Sequence, residues 1–150
     1  MNLADTNFWL ALALSKHQFH TTVRDWFDRQ SKASVLFCRA TQQSLLRLLT
    51  TDAVHRPYGN AALSNSGAWK FYRDLRSDHR CGFAKEPKTI EGQWKAMASR
   101  DSASPKLWMD AYLAAFAASG GHGFVTTDEG FKQFTALRLI LLTRAGGPLP

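Results

Sequence analysis

Short apolar runs alternate with amphipathic segments along this chain, and that alternation sets the first expectation of fold. Leu3-Ala4-Asp5 reads as a strand ending on an acid, and Phe8-Trp9-Leu10-Ala11-Leu12-Ala13-Leu14 follows with the all-round apolar character of a buried helix. Residues 20–30 carry Val23, Trp26 and Phe27 at helical spacing among charged positions, which predicts an amphipathic helix. Val35-Leu36-Phe37-Cys38 is a continuous apolar run of strand length, expected to be buried on both faces beside the first strand. Thr41 is expected to cap a helix with Leu45, Leu46, Leu48 and Leu49 on its core side, and Thr50-Thr51-Asp52 to end it.

Pro57 and Gly59 make residues 52–65 read as a loop, after which Trp69, Phe71, Tyr72 and Leu75 predict a helix over residues 68–76. Cys81-Gly82-Phe83 suits a brief strand. Ile90, Trp94 and Met97 mark a short helix, residues 101–105 a loop, and residues 106–119 a longer helix that Gly120-Gly121 stops. Phe124-Val125-Thr126 is a strand, residues 129–134 one or two helical turns, and residues 137–142 a last strand before a Gly146-Gly147-Pro148 end. Strands separated by helical segments predict an α/β fold, a central parallel sheet of four to five strands covered by helices on both faces.

At 150 residues the chain is long enough to close one hydrophobic core, and a single domain over residues 1–150 is expected. The longest apolar stretches, residues 8–14 and 112–118, fall far short of the ~18 to 20 residues that cross a bilayer. No membrane association is expected, and with no basic leader ahead of Asp5 the expected location is cytoplasmic. Cys38 and Cys81 stand far apart, outside any metal-ligand array, and read as buried free thiols. A net charge of +7 makes a polyanion such as RNA a plausible partner, although charge alone serves solubility equally well.

In open parallel sheets, ligands bind outside the carboxyl ends of the strands. Asp5 follows the first strand, Asp128 follows Phe124-Val125-Thr126-Thr127, and Asp110 lies near the start of the helix leading to that later strand. Each acid taken singly is explained by helix capping or by the helix dipole. Three at one sheet edge are another matter, because converging carboxylates repel one another unless a cation offsets them. An oxygen-only donor set suits Mg²⁺ or Mn²⁺ rather than zinc, and such an ion promotes phosphodiester hydrolysis. Asn7, Thr126 and Thr6 are candidates for holding the carboxylates or metal-bound waters in place. Arg39, Arg47, Lys106 and Lys132 are candidate phosphate contacts. A phosphoacceptor receiver domain shares this architecture, but it needs an early acid pair where only Asp5 stands.

Leu3-Ala4-Asp5-Thr6-Asn7, Leu107-Trp108-Met109-Asp110-Ala111-Tyr112-Leu113-Ala114 and Thr126-Thr127-Asp128-Glu129-Gly130-Phe131 resemble, in order, the first, third and closing motifs of PIN-domain ribonucleases of the VapC-like toxin branch. The segment from Phe37-Cys38-Arg39-Ala40-Thr41-Gln42 onward is similar to the second acidic block. The resemblance runs nearly end to end. It implies a PIN-like three-layer α/β/α fold and a metal-dependent endoribonuclease with Asp5, Asp110 and Asp128 as metal ligands. It also implies a homodimer and a small VapB-like antitoxin that inhibits it. One position departs: many relatives place Glu where this chain has Gln42, which cannot offset metal charge or act as a base. Three readings follow: a variant active with three Asp, a site in which Glu129 supplies the missing acid, or a catalytically weakened module that binds RNA or protein. Gln42 remains able to orient a metal-bound water through its amide.

Overall fold

Period-two alternation in strands too short to show it in sequence decides how this molecule is layered. The computed structural model describes residues 1–144; the expected Gly146-Gly147-Pro148 end lies outside the described residues. Strands β1 (Asn2–Ala4), β2 (Val35–Phe37), β3 (Cys81–Phe83), β4 (Gly123–Thr126) and β5 (Leu139–Leu141) form one sheet in the order β3-β2-β1-β4-β5. Every pairing is parallel, with Leu3 level with Leu36 on one side and Phe124 on the other.

Successive side chains of a strand point to opposite faces. Leu3, Leu36 and Phe124 turn to one side, under α6 (Ile90–Ala98) and α7 (Leu107–Ser119). Ala4, Val35, Phe37 and Val125 turn to the other, under α1 (Thr6–Ala13), α2 (His20–Asp28), α3 (Arg39–Leu49) and α5 (Asn65–Arg76). The result is the three-layer α/β/α arrangement. On the second face the Trp9 indole lies flat on the Phe37 ring at 3.7 Å between centroids, and Phe27 and Tyr72 close around the pair edge-on. Both cysteines are buried and free. No helix among the described residues is long and apolar enough to cross a membrane.

Two expectations are corrected. Residues 52–65 are not all loop: α4 (Asp52–His55) and a 3-10 turn over Arg56–Tyr58 occupy their first half. The buried His55 ring bonds the Leu49 carbonyl at 2.8 Å, joining the Leu63 N–H at 2.9 Å on this acceptor at the end of α3. Thr41 is not the cap of α3. The helix starts at Arg39, and the Thr41 hydroxyl reaches back to accept from the Cys38 backbone N–H at 3.0 Å, the third-position half of a capping box.

Chain order also fixes where a ligand can bind. From β1 the chain moves outward through β2 to β3, then returns through α7 to β4 on the opposite flank of β1. The crevice between the carboxyl ends of β1 and β4 is therefore the point where strand order reverses.

Candidate active site

Asp5 stands at that crevice because its backbone continues the sheet for one more residue. Its N–H donates to the Val125 carbonyl at 3.0 Å, after which the chain turns directly into α1. As the N-cap, Asp5 accepts the Thr6 backbone N–H on Oδ1 at 2.7 Å. Its other oxygen, Oδ2, accepts the Thr126 hydroxyl at 2.7 Å. Capping alone therefore does not account for this side chain: it is buried, both oxygens are held, and one holder comes from the neighbouring strand.

Thr126 is itself buried, and its hydroxyl accepts the Asp128 backbone N–H at 3.0 Å while donating to Asp5. Asp128 in turn caps the 3-10 turn Glu129–Gln133, accepting from Gly130 N–H at 2.7 Å. A Cβ at position 130 would stand 3.0 Å from Asp128 Oδ1, so glycine allows this close turn. Asp110 stands in the first turn of α7, in the other helical layer.

Electrostatics shows that these acids share one locality. Burial pushes the Asp5 carboxyl up from its ordinary 3.8 to about 6; the bonds from Thr126 and Thr6 oppose that rise, and the charges of Asp110 and Asp128 add to it. Asp110 is likewise raised, by burial first and then by the charge of Asp128. Asp5 therefore feels both of the others, and Asp110 feels Asp128. The remaining candidates lie differently. Gln42 is buried, and its Oε1 accepts from the Arg39 guanidinium. Asn7 is exposed, and Glu129 is exposed with its carboxylate 3.7 Å from the Lys132 ammonium. No hydrogen bond joins Gln42, Asn7 or the Glu129 side chain to an aspartate of the site among the described residues.

The donor set fits a hard divalent cation in kind: carboxylate oxygens at one edge, with charges that repel and no sulfur or imidazole among them. Among the described residues no three acids, histidines or cysteines already stand close enough to enclose an ion. Asp5 is held through both oxygens and Asp128 through one, whereas no hydrogen bond holds the Asp110 carboxylate among the described residues.

An open cavity of about 400 Å³ lies against Asp110, lined by Arg100, Ser104, Lys106, Leu107 and Gln133. Arg100 donates to Gln133 Oε1, tying the loop after α6 to the turn that follows Asp128. Lys106 was expected near phosphate from its position. Arg100 and Gln133 were not expected, since they are 33 residues apart and neither carries a motif.

The PIN domain family model matches residues 3–137, nine-tenths of the chain. The chain belongs to the PIN-domain family. This PIN domain is 51% identical over 146 residues to Ribonuclease VapC41 of Mycobacterium tuberculosis, covering 96% of this chain and all of that one. Among solved structures it resembles VapC20 of M. tuberculosis, described as a sarcin-ricin loop cleaving toxin (TM-score 0.58, 19% identity, 88% of this chain and 93% of that one). It also resembles VapBC2 of Rickettsia felis bound to a promoter DNA fragment (TM-score 0.63, 9% identity, 95% and 98%). At those identities the two structures speak to the fold of this PIN domain, and the VapC41 match makes it a homologue of the VapC ribonucleases.

Proposed function

We propose that this PIN domain is a metal-dependent endoribonuclease, the toxin of a VapBC-like pair, with its site at Asp5, Asp110 and Asp128. The observation that supports the reading is that Asp5, buried at the crevice where strand order reverses, feels the charges of both Asp110, from α7, and Asp128, after β4. The homology to a curated VapC ribonuclease supports it along the whole chain.

Asp5, Asp110 and Asp128 would hold Mg²⁺ or Mn²⁺, whose charge offsets their repulsion. When bound, such an ion polarises a phosphate oxygen and acidifies a water. The protein's own contribution is positional. Thr126 and the Thr6 N–H fix the Asp5 carboxylate and favour its charged form; Lys106 and Arg100, beside Asp110, attract the RNA backbone. Thr126 and Asn7 are the proposed outer supports of the site, with Glu129 as a reserve acid at its rim.

The partners that follow from the VapC reading are RNA, a VapB-like antitoxin and a second copy of the chain, in the cytoplasm. A second reading, a weakened module that binds RNA or protein, draws on one observation: the Gln42 amide oxygen is engaged by Arg39. Purified protein should cleave RNA with Mg²⁺ or Mn²⁺, stop in EDTA, and lose the activity on Asp110→Asn. Equal cleavage by both forms would refute the proposed site, and RNA binding without cleavage would favour the weakened module.

A further inference from the structure

Phe83 closes β3 at the same carboxyl edge of the sheet, and two guanidiniums attend its ring: Arg39 at 5.0 Å and Arg76 at 5.8 Å from the centroid. Neither arginine forms an ion pair among the described residues. Among the described residues Arg39 donates only to the neutral Gln42, and the Nη1 of Arg76 is buried with no hydrogen-bond partner. The buried Tyr72 phenol lies within the field of both cations and is the neutral group that Arg76 approaches for a hydrogen bond, which leaves the Arg76 Nη1 unmet.

The same molecule shows what a structural arginine on an aromatic ring looks like. Arg80 sits 4.3 Å from the Phe27 centroid, but Asp78 holds it by two bonds and Asp28 by a third. Two acids neutralise one cation there. At Phe83 two cations attend one ring with no ion-paired acid among the described residues, and a buried Arg76 donor goes unmet, a cost of the kind that a bound anion removes. The C-terminal position of Arg76 in α5 accounts for its presence near the helix dipole, but leaves Nη1 without a partner.

We infer that Arg39 and Arg76, held against Phe83, form a binding site for a backbone phosphate of the RNA, one strand segment away from the scissile bond. This rests on the nuclease reading. β3 lies two strands from β1, roughly 10 Å along the edge at ~4.8 Å per strand. A polyanion engaged at Asp5 passes within reach of it. Planar guanidinium forks match phosphate oxygens in pairs, and with Gln rather than an acid at residue 42 no carboxylate there competes with phosphate for Arg39.

The test uses the full chain carrying Asp110→Asn, so that binding is read without cleavage, and a labelled single-stranded oligoribonucleotide titrated at several salt concentrations. Arg76→Met keeps an apolar stem on Phe83; it should weaken binding roughly tenfold, the loss expected of one charged hydrogen-bonding group. The slope of log affinity against log salt should fall by about 0.7. Arg76→Lys should keep the slope and lose part of the affinity. If melting curves show that Arg76→Met is unfolded, Arg76→Gln and Arg39→Met carry the same comparison. Unchanged affinity and slope in folded variants overturn the inference, as does a loss confined to an oligoglutamate competitor, which assigns the site to a protein carboxylate. Cleavage by the unmodified chain is scored separately: cleavage with unaltered binding sinks this site alone, and charge-dependent binding without cleavage sinks the nuclease reading alone.

Discussion

The Thr126 hydroxyl donates to Asp5 Oδ2 at 2.7 Å across 121 residues of chain, and accepts the Asp128 N–H at 3.0 Å with the same oxygen. One buried hydroxyl therefore sets the positions of two of the three acids. Thr126→Val keeps the shape and removes both bonds. Asp5 should then titrate above its already raised value, and the protein should lose about 1–3 kcal/mol of stability. Mg²⁺ or Mn²⁺ affinity should fall about 10–100-fold, as for other groups that orient metal ligands. Calorimetric titration and thermal melting check both effects. Thr126→Ser should restore most of the affinity; a valine variant that binds metal normally would show that the bond orients nothing.

Asp5 gives a pH dependence of defined sign. Its folded-state value of about 6 lies above the ordinary 3.8, so the metal-free folded protein holds this proton more tightly than the unfolded chain does. The associated stability, roughly 3 kcal/mol, is fully present below about pH 4 and is lost as pH rises through about 6. Asp5→Asn should therefore raise the metal-free melting temperature at pH 7.5 and leave it nearly unchanged near pH 4. For the unmodified chain, stabilisation by Mg²⁺ or Mn²⁺ should be larger at pH 7.5 than at pH 5.5, because the ion competes with the proton. Melting curves with metal and with EDTA at both pH values check this; equal metal shifts would separate Asp5 from the metal.

Asp110 should behave in the opposite way to an ordinary surface helix residue. Its carboxyl is raised by burial and by Asp128, and it raises Asp5 in turn. Asp110→Asn should leave metal-free stability equal or slightly higher, since it removes one source of repulsion. RNA cleavage should fall by more than the ~10–100-fold typical of outer-shell changes. The two readouts together separate a site residue from a helix-dipole residue, whose replacement costs stability and spares activity.

How much of this was legible in the chain depends on the distance over which each feature is encoded. Asp5 was readable because an apolar run, an acid and a helix follow one another locally, and β2 because four apolar residues have no other use. Its neighbour β3 was harder: Gly82 packs against Leu36, and a strand of three residues has no period to show. The helix at residues 52–55 was hidden by Pro57 and Gly59, and the contact of His55 with the end of α3 is a tertiary one. Asp110 and Asp128 could be placed at one edge by chain order alone, but the Thr126 bond that ties the Asp128 segment to Asp5 is a tertiary fact. Arg76 carried no signal at all, since an arginine in the last turn of a helix is what the dipole favours anyway.

Gln42 offers the last test. Its Oε1 accepts from Arg39, so in Gln42→Glu the new carboxylate forms beside a guanidinium already within hydrogen-bond distance. Part of the added charge is spent on that pair, which strengthens as the neutral acceptor becomes an ionised one. The remainder bears on the ion. Metal affinity at pH 7.5 should rise by about tenfold, roughly 1.4 kcal/mol, a modest change for a fourth carboxylate because Arg39 shields it. Arg39→Met in the same background removes the shield, and the gain should then grow. A calorimetric comparison of the native chain, Gln42→Glu and the double variant reads the coupling directly. If Gln42→Glu leaves metal affinity unchanged in both backgrounds, position 42 lies outside the reach of the ion, and the departure from the family's acidic block has no bearing on metal binding.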